Sequence, residues 1–178
     1  MKKSAIIFSI LIIISGCAYY NTFYQAQDNF EKAESARKKA RDPNAPFPSA
    51  NYTEAIKNAS KVLEFYPKSK WVDDALLLIG KAHYFQGEYT KSERKFRELI
   101  ANFPNSKLSP EAYYYLGLCV SKFGDYVEAR DAFKIVLNSK SKTFKPEVTF
   151  SLGEIAFDLK DYPLALTYYE QFLKSYKK

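Results

Sequence analysis

The chain has 178 residues, 47% of them hydrophobic and 17% aromatic, which is enough for one domain with a substantial core and too little for two large ones. Its formal net charge of +7 is mildly basic, but the arginines form no dense stripe, so the sequence does not indicate nucleic-acid binding. Two cysteines, Cys17 and Cys119, are too few to indicate a disulfide framework.

Residues 1–16 are predicted to be a lipoprotein signal peptide. Lys2 and Lys3 give it a positive start, residues 5–14 form an apolar run, and small residues precede Cys17. The run is too short for a stable membrane span, which needs roughly 20 residues. The pattern resembles a bacterial lipobox, and this resemblance implies that Cys17 carries a diacyl group on sulfur and begins the mature chain. The alternative is an ordinary cleaved signal followed by a chance cysteine.

The expected anchor is the covalent lipid on Cys17. Each buried CH₂ of an acyl chain contributes about 0.8 kcal/mol, so two or three chains anchor a protein to a membrane stably. The next residue is Ala18 rather than an aspartate. In the lipoprotein sorting rule that this resembles, such a residue directs transport to the outer membrane. We therefore expect a lipid-anchored protein on the periplasmic side of the outer membrane.

The first helix is predicted at about 20–41. Its apolar stripe has spacings of 3, 4 and 3 residues and consists of Phe23, Ala26, Phe30 and Ala33. A basic cluster follows at the C-terminal end, formed by Arg37, Lys38, Lys39 and Arg41. It either stabilises the helix dipole or contacts anionic lipid headgroups near the anchor. Three prolines within residues 42–50 then predict a loop.

A unit of two helices and a turn recurs along the rest of the chain. A tyrosine marks each copy of the unit, at Tyr52, Tyr89, Tyr126 and Tyr162. Successive tyrosines are 37, 37 and 36 positions apart. A fixed period in this range is typical of a solenoid of stacked helix pairs. The pairs are predicted at about 20–66, 70–102, 108–138 and 144–176, within a single domain of residues 17–178.

The five glycines that follow Cys17 all occupy repeat positions. A glycine inside a helix costs roughly 1 kcal/mol, so close approach of the partner helix is expected at Gly80, Gly117 and Gly153. Gly87 and Gly124 are expected to end helices in a left-handed conformation, and Lys160 stands at the corresponding place in the last repeat. Helix caps are predicted at Asn51, Asp125 and Asp161. Pro110 and Pro146 are predicted to begin the first helices of their pairs.

These motif residues resemble tetratricopeptide repeats. The matching positions are Leu76, Ile79, Gly80, Gly87, Tyr89, Phe96 and Pro104, then Tyr113, Leu116, Gly117, Gly124, Tyr126, Ala129 and Phe133. The predicted fold class is therefore all-α, a right-handed solenoid of about four antiparallel helix pairs. Residues 66–69 and 103–106 resemble a subgroup that includes the BamD lipoproteins, although that family typically has five repeats.

The BamD resemblance implies a scaffold at the inner leaflet of the outer membrane that binds barrel-assembly subunits and nascent outer-membrane proteins. It implies no cofactor other than the lipid on Cys17. The alternative within binding proteins is a pilus or secretin assembly lipoprotein. The alternative of another class is an envelope-remodelling enzyme.

A partner-binding groove is predicted on the first helix of each pair, on the face turned away from the motif residues. The residues predicted to line it are Leu77, Lys81, Tyr84, Tyr114, Leu118, Phe150 and Phe157. Asp74, Glu111 and Glu147 recur near the helix starts, where the helix dipole favours them; the alternative is an acidic rail for a ligand. Aromatic side chains give large contact area with few rotamers to freeze, so an extended or helical segment with aromatic or aliphatic anchors is expected to bind. The alternative is that these side chains pack against the next repeat.

Little in the sequence suggests catalysis. His83 is the only histidine, so histidine clusters and a complete Ser-His-Asp triad elsewhere are excluded, and a core or half-buried role is expected. Cys119 is interpreted as a small buried hydrophobic residue. A carboxylate pair for glycoside cleavage stays open, since it needs only two residues at the right separation. We predict no metal site and a non-catalytic scaffold. Leu166, Tyr169 and Leu173 are expected to leave an apolar face open on the last helix.

Overall fold

The computed structural model describes the backbone of residues 2–40 and 49–176 and the side chains of residues 21–40 and 49–175. Within these ranges the chain forms eight α-helices and no strand. They are α1 (Lys2–Lys39), α2 (Ser49–Phe65), α3 (Val72–Phe85), α4 (Tyr89–Asn102), α5 (Ser109–Ser121), α6 (Tyr126–Asn138), α7 (Lys145–Asp158) and α8 (Tyr162–Tyr176). Apart from the start of α1, the outer ends of the four predicted pairs all lie within two residues of their predicted positions.

The first helix is longer than predicted because it continues through the apolar N-terminal run. It begins at Lys2 rather than near residue 20. The predicted boundary between residues 16 and 17 falls inside it, where side chains are not among the described ones, and it stays a prediction. None of the described helices contains a stretch that is both long enough and apolar enough to cross a membrane.

The chain divides into two compact units, residues 1–86 and residues 87–178. In the first unit, α1, α2 and α3 pack around one core. The predicted stripe on α1 is confirmed, since Phe23, Ala26 and Ala33 are buried. The other buried hydrophobic residues of this unit are Tyr52, Ala55, Ala59, Val62, Val72, Ala75, Leu76, Leu77, Leu78, Ile79 and Ala82. Alanines let the helices approach closely, while each larger aliphatic side chain contributes about 1.5–3 kcal/mol on full burial.

A polar network ties the three helices of the first unit together. Arg37 donates two hydrogen bonds to Glu34, of 2.9 and 2.7 Å, and the Tyr52 hydroxyl donates a third to the same carboxylate. The Arg37 guanidinium lies 4.4 Å from the centre of the Phe85 ring. Burial works to raise the pKa of Glu34, but the hydrogen bonds from Arg37 and Tyr52 outweigh it and hold that pKa below its ordinary value.

In the second unit, α4 to α8 pack in chain order, each against the next. Its fully or nearly fully buried side chains are Ser92, Phe96, Leu99, Ala112, Leu116, Cys119, Val120, Ala129, Ala132, Phe133, Val136, Val148, Leu152, Ile155, Ala156 and Ala165. Many of them, including Leu116, Ala129 and Phe133, are repeat positions. The predicted fold class is confirmed: the protein is all-α, with helices of the tetratricopeptide-repeat type.

Two helix glycines make room for an aromatic ring on the partner helix. A Cβ added to Gly117 would lie 2.5 Å from Cε1 of Phe133. One added to Gly153 would lie 2.6 Å from Cε1 of Tyr169, the residue 36 positions after Phe133. These distances are too short for any real carbon–carbon contact, so the expected close approach is confirmed at both positions. Gly80 is buried, and its close approach stays a prediction.

The predicted helix ends are confirmed with one exception. Gly87 and Gly124 have φ of +76° and +79°, and Lys160 adopts φ of +62° at the corresponding place. Asp125 Oδ1 accepts a hydrogen bond from the Glu128 backbone N–H at 3.0 Å, and Asp161 accepts one from the Leu164 N–H at 3.2 Å. The prediction that Asn51 caps α2 is wrong, because that helix begins two residues earlier, at Ser49.

The open face predicted on the last helix is formed by two of its three residues. Leu166 and Leu173 are 59% and 58% exposed. Tyr169 is instead half-buried, since it packs on Gly153 and lies 5.7 Å from the Phe150 ring.

Candidate partner-binding groove

A groove of about 410 Å³ lies between α1 and α3 in the first unit. Phe23 and Trp71 stack at one end with their ring centres 5.1 Å apart, and Phe30 and Phe85 approach to 6.2 Å farther along. The two contacts follow the same order on both helices, so α1 and α3 run in the same direction. The groove is lined by Phe23, Gln27, Phe30, Glu31, Trp71, Asp74, Leu77, Leu78 and Lys81. We call it the α1–α3 groove.

The floor of the α1–α3 groove is apolar and its edges are charged. Phe23, Leu77 and Leu78 are less than 10% exposed and form the floor. Asp74 is half-buried, and burial followed by the neighbouring carboxylate of Asp73 raises its pKa. The Lys81 ammonium lies 5.4 Å from the centre of the Phe30 ring. Such a surface can bind a polypeptide segment through apolar anchors on the floor. The charged side chains at its edges can discriminate between segments of different charge.

Two of the three groove residues predicted in the first unit line this groove. Leu77 and Lys81 are both among its lining residues. Tyr84 is not, since it packs edge-on against Phe85 with ring centres 5.4 Å apart. On a helix, residues 77 and 81 lie one turn apart on one face, whereas residue 84 is displaced along that face toward the end of α3.

The predicted residues of the second unit mostly meet aromatic neighbours. Tyr114 stacks on Phe144 at 5.0 Å and lies 6.3 Å from Phe133, so it is partly covered by the next repeat. Leu118 is half-buried. No partner is present to test whether these residues bind one, and their role stays a prediction.

The two phenylalanines predicted on α7 are partly exposed. Phe150 is 41% exposed and packs against Phe172 and Tyr169 of α8, at 5.2 and 5.7 Å. Phe157 is 54% exposed and contacts Tyr162 edge-on at 5.5 Å. Both therefore lie against the helix that follows α7, and their role in binding also stays a prediction.

Sequence reasoning assigned Phe23 and Phe30 to a packing stripe and did not single out Trp71. Spacing could have identified Trp71 as a groove residue. Trp71 precedes Asp74 by three positions and so lies on the same helix face. The contribution of α1 was harder to find. Gln27 and Glu31 read as ordinary surface residues, and only the packing of α1 on α3 places them at the groove.

Neither a metal-binding group nor a reactive cysteine is found among the described residues. No group of three or more histidine, cysteine, aspartate or glutamate side chains among them could hold a metal ion. His83 is half-buried, as expected. Cys119 is buried, its thiol donates to Ser92 Oγ at 3.2 Å, and burial raises its pKa to about 11. A thiol in that environment is a poor nucleophile at neutral pH.

The basic cluster of the first helix lies far from the predicted lipid anchor. Cys17 and Lys38 are 21 positions apart on α1, which at 1.5 Å per residue is about 32 Å. Charges are screened over roughly 8–10 Å in physiological salt. Contact of the basic cluster with lipid headgroups stays a prediction, while Arg37, Lys38 and Lys39 do occupy the last turn, where the helix dipole favours them. Arg41 lies outside the described residues.

Comparison with known proteins assigns the family. Residues 32–145, well over half of the chain, match the YfiO family, described as outer membrane lipoprotein. The chain belongs to this family. Residues 147–178 match a tetratricopeptide-repeat family. Together these matches support a BamD-like tetratricopeptide-repeat lipoprotein whose repeats are of a kind used for protein–protein interaction. No curated protein sequence matches the chain.

Solved structures with the same fold include two of MamA. A crystal structure of MamA has a TM-score of 0.60 at 19% identity and covers 90% of this chain and 85% of its own. A second, of MamA from AMB-1, has a TM-score of 0.54 at 14% identity and covers 87% and 91%. At these identities the likeness concerns the fold alone.

Proposed function

We propose that this protein is a non-catalytic scaffold lipoprotein on the periplasmic side of the outer membrane. It binds protein partners during outer-membrane protein assembly, either barrel-assembly subunits or nascent outer-membrane proteins. The observation that carries the proposal is the α1–α3 groove, an open apolar surface on a repeat scaffold of an outer membrane lipoprotein family. Its apolar floor suits a segment with aromatic or aliphatic anchors.

Trp71 is the residue of the groove with the largest aromatic surface. Truncating a tryptophan that packs in an interface often costs about 2 kcal/mol or more of binding free energy. In this groove the ring stacks on Phe23 and is half-buried, so it is held in place while part of it still faces the groove. Trp71→Ala should therefore weaken partner binding roughly 30-fold, which is 2 kcal/mol at 1.4 kcal/mol per factor of ten.

Photo-crosslinking in intact membranes tests the partner. A photoreactive residue replaces Gln27, which is exposed at the edge of the groove, and the control position is Lys57, which is exposed on α2 and does not line it. We expect crosslinks to barrel-assembly subunits or nascent outer-membrane proteins from position 27 and not from position 57. Crosslinks to a secretin instead would support the pilus or secretin alternative and contradict the proposal.

The lipid anchor is tested separately. In cells labelled with radioactive palmitate, the wild-type chain should incorporate label and fractionate with the outer membrane. Cys17→Ser should incorporate none and should lose that fractionation. If the Cys17→Ser chain still incorporates palmitate, the anchor lies elsewhere and the proposed attachment is wrong.

A further inference from the structure

One acidic side chain of the α1–α3 groove forms no ion pair with any side chain that the structure describes. Asp74 lines the groove and is half-buried, and among the described residues no lysine or arginine pairs with its carboxylate. Its nearest charged neighbour along the chain is another carboxylate, Asp73. A half-buried carboxylate beside a like charge is stabilised when a cation approaches it.

The surroundings of Asp74 suit an organic cation. Trp71 lies three positions earlier on the same helix face, and its ring stacks on Phe23. The Lys70 ammonium lies 4.9 Å from the centre of the same Trp71 ring, so the indole is already in contact with both Phe23 and Lys70. A lysine or arginine side chain entering beside Asp74 would meet the Asp74 carboxylate.

The remaining charges of the groove do not cancel this preference. Glu31 on α1 adds a second carboxylate to the groove. It accepts a hydrogen bond of 3.0 Å from the Gln27 amide, which is neutral and does not offset its charge. Lys81 is the one cation among the lining residues, seven positions after Asp74 on α3, which is about 10.5 Å along the helix. That separation is close to the screening length in physiological salt. Lys70 is a further cation at this end of the groove, and its ammonium lies over the Trp71 ring. Among the lining residues themselves, two carboxylates face one ammonium, in a chain whose net charge is +7.

We infer that the segment bound in the α1–α3 groove carries a lysine or arginine next to its aromatic or aliphatic anchor, and that Asp74 recognises this charge. The inference rests on the proposed function, because it takes the groove as a polypeptide-binding site and adds the charge of the bound segment. Apolar contact on Phe23, Trp71 and Leu77 supplies affinity, while the carboxylate selects among apolar segments.

Charge-matched peptides test the inference. Three short synthetic peptides share the same phenylalanine anchors and differ only in the flanking residues, which are lysine, norleucine or glutamate. Their affinities for the full-length chain in neutral detergent micelles are measured by fluorescence anisotropy. We expect the lysine peptide to bind about tenfold tighter than the norleucine peptide and the glutamate peptide to bind weakest. The net charge of the chain favours the opposite order, so this order can come only from the local groove.

Three variants separate the possible outcomes. Asp74→Asn should abolish the preference for lysine, and the matched control Asp73→Asn, one position away on the same helix turn, should keep it. Equal binding of all three peptides by the wild type, with Trp71→Ala weakening all of them, overturns the inference and leaves the groove as the binding site. Absence of peptide binding, or binding that Trp71→Ala leaves unchanged, overturns the proposed groove itself.

Discussion

The Tyr126 hydroxyl donates a hydrogen bond of 3.1 Å to Asp158, so the first residue of α6 contacts the last residue of α7. The same pair of positions meets in two other repeats. Tyr52 stacks against Phe85 at 5.9 Å, and the Lys122 ammonium lies 5.9 Å from the centre of the Tyr89 ring. The repeat thus fixes where two residues meet, while the chemistry of the contact changes from stacking to cation–π to hydrogen bonding.

Replacing Lys160 by glycine should stabilise the protein. Lys160 is held at φ of +62°, a left-handed conformation that costs an ordinary L-residue roughly 1–2 kcal/mol and costs glycine little. Glycine also increases the entropy of the unfolded chain, which offsets part of this gain. Lys160→Gly should therefore raise the free energy of unfolding by about 1 kcal/mol, measured by urea denaturation. The matched control is Lys122→Gly. Lys122 sits at the end of the preceding repeat's first helix with φ of −65°, so glycine there should destabilise.

Adding a methyl group at Gly117 should destabilise the second unit. The new Cβ would lie 2.5 Å from the Phe133 ring, which is fully buried and cannot move aside freely. Overpacking of this kind costs about 1–3 kcal/mol, against a gain of roughly 1 kcal/mol in helix propensity. Gly117→Ala should therefore lower the free energy of unfolding, and it should do so less in a Phe133→Leu background. Additive effects in the double mutant would contradict the contact.

The network around Glu34 should make stability depend on acid pH. The pKa of Glu34 is lowered in the folded state, so its contribution is fully present above the ordinary glutamate pKa and is lost as pH falls through the lower folded value. Wild type should lose stability more steeply than Glu34→Gln below about pH 4.5. At neutral pH the substitution should cost about 1 kcal/mol, a charged hydrogen-bond contribution discounted for partial exposure. Glu54→Gln, on an exposed surface pair with Lys57, serves as the control and should cost little stability at neutral pH.

Thiol labelling should distinguish the two cysteines. Burial raises the pKa of Cys119 to about 11, so alkylating reagents at pH 8 should not modify it in the folded protein. After unfolding, protein purified from membranes should show one reactive thiol, because the proposed lipid blocks Cys17. Protein made in the cytoplasm without residues 1–16 should show two. Two reactive thiols in the membrane-derived protein would show that Cys17 carries no lipid.

The sequence by itself determined the repeat, the helix bounds, the turn glycines and the place of the close approaches. These features depend on backbone conformation and short-range spacing, so residues such as Gly117, Gly124 and Pro146 reveal them directly. The wrong prediction of a cap at Asn51 also came from local pattern. The prolines at positions 43, 46 and 48 predicted a loop through residue 50, whereas α2 begins at Ser49.

Only the tertiary structure decided which faces combine into a groove. Phe23 and Trp71 are 48 positions apart, and their stacking depends on how α1 crosses α3, which no local pattern encodes. Equivalent tyrosines likewise differ in exposure: Tyr52 is fully buried between helices, whereas Tyr162 on α8 is 55% exposed. Spacing places a residue on a helix face, but burial and partners depend on which neighbouring helix covers that face.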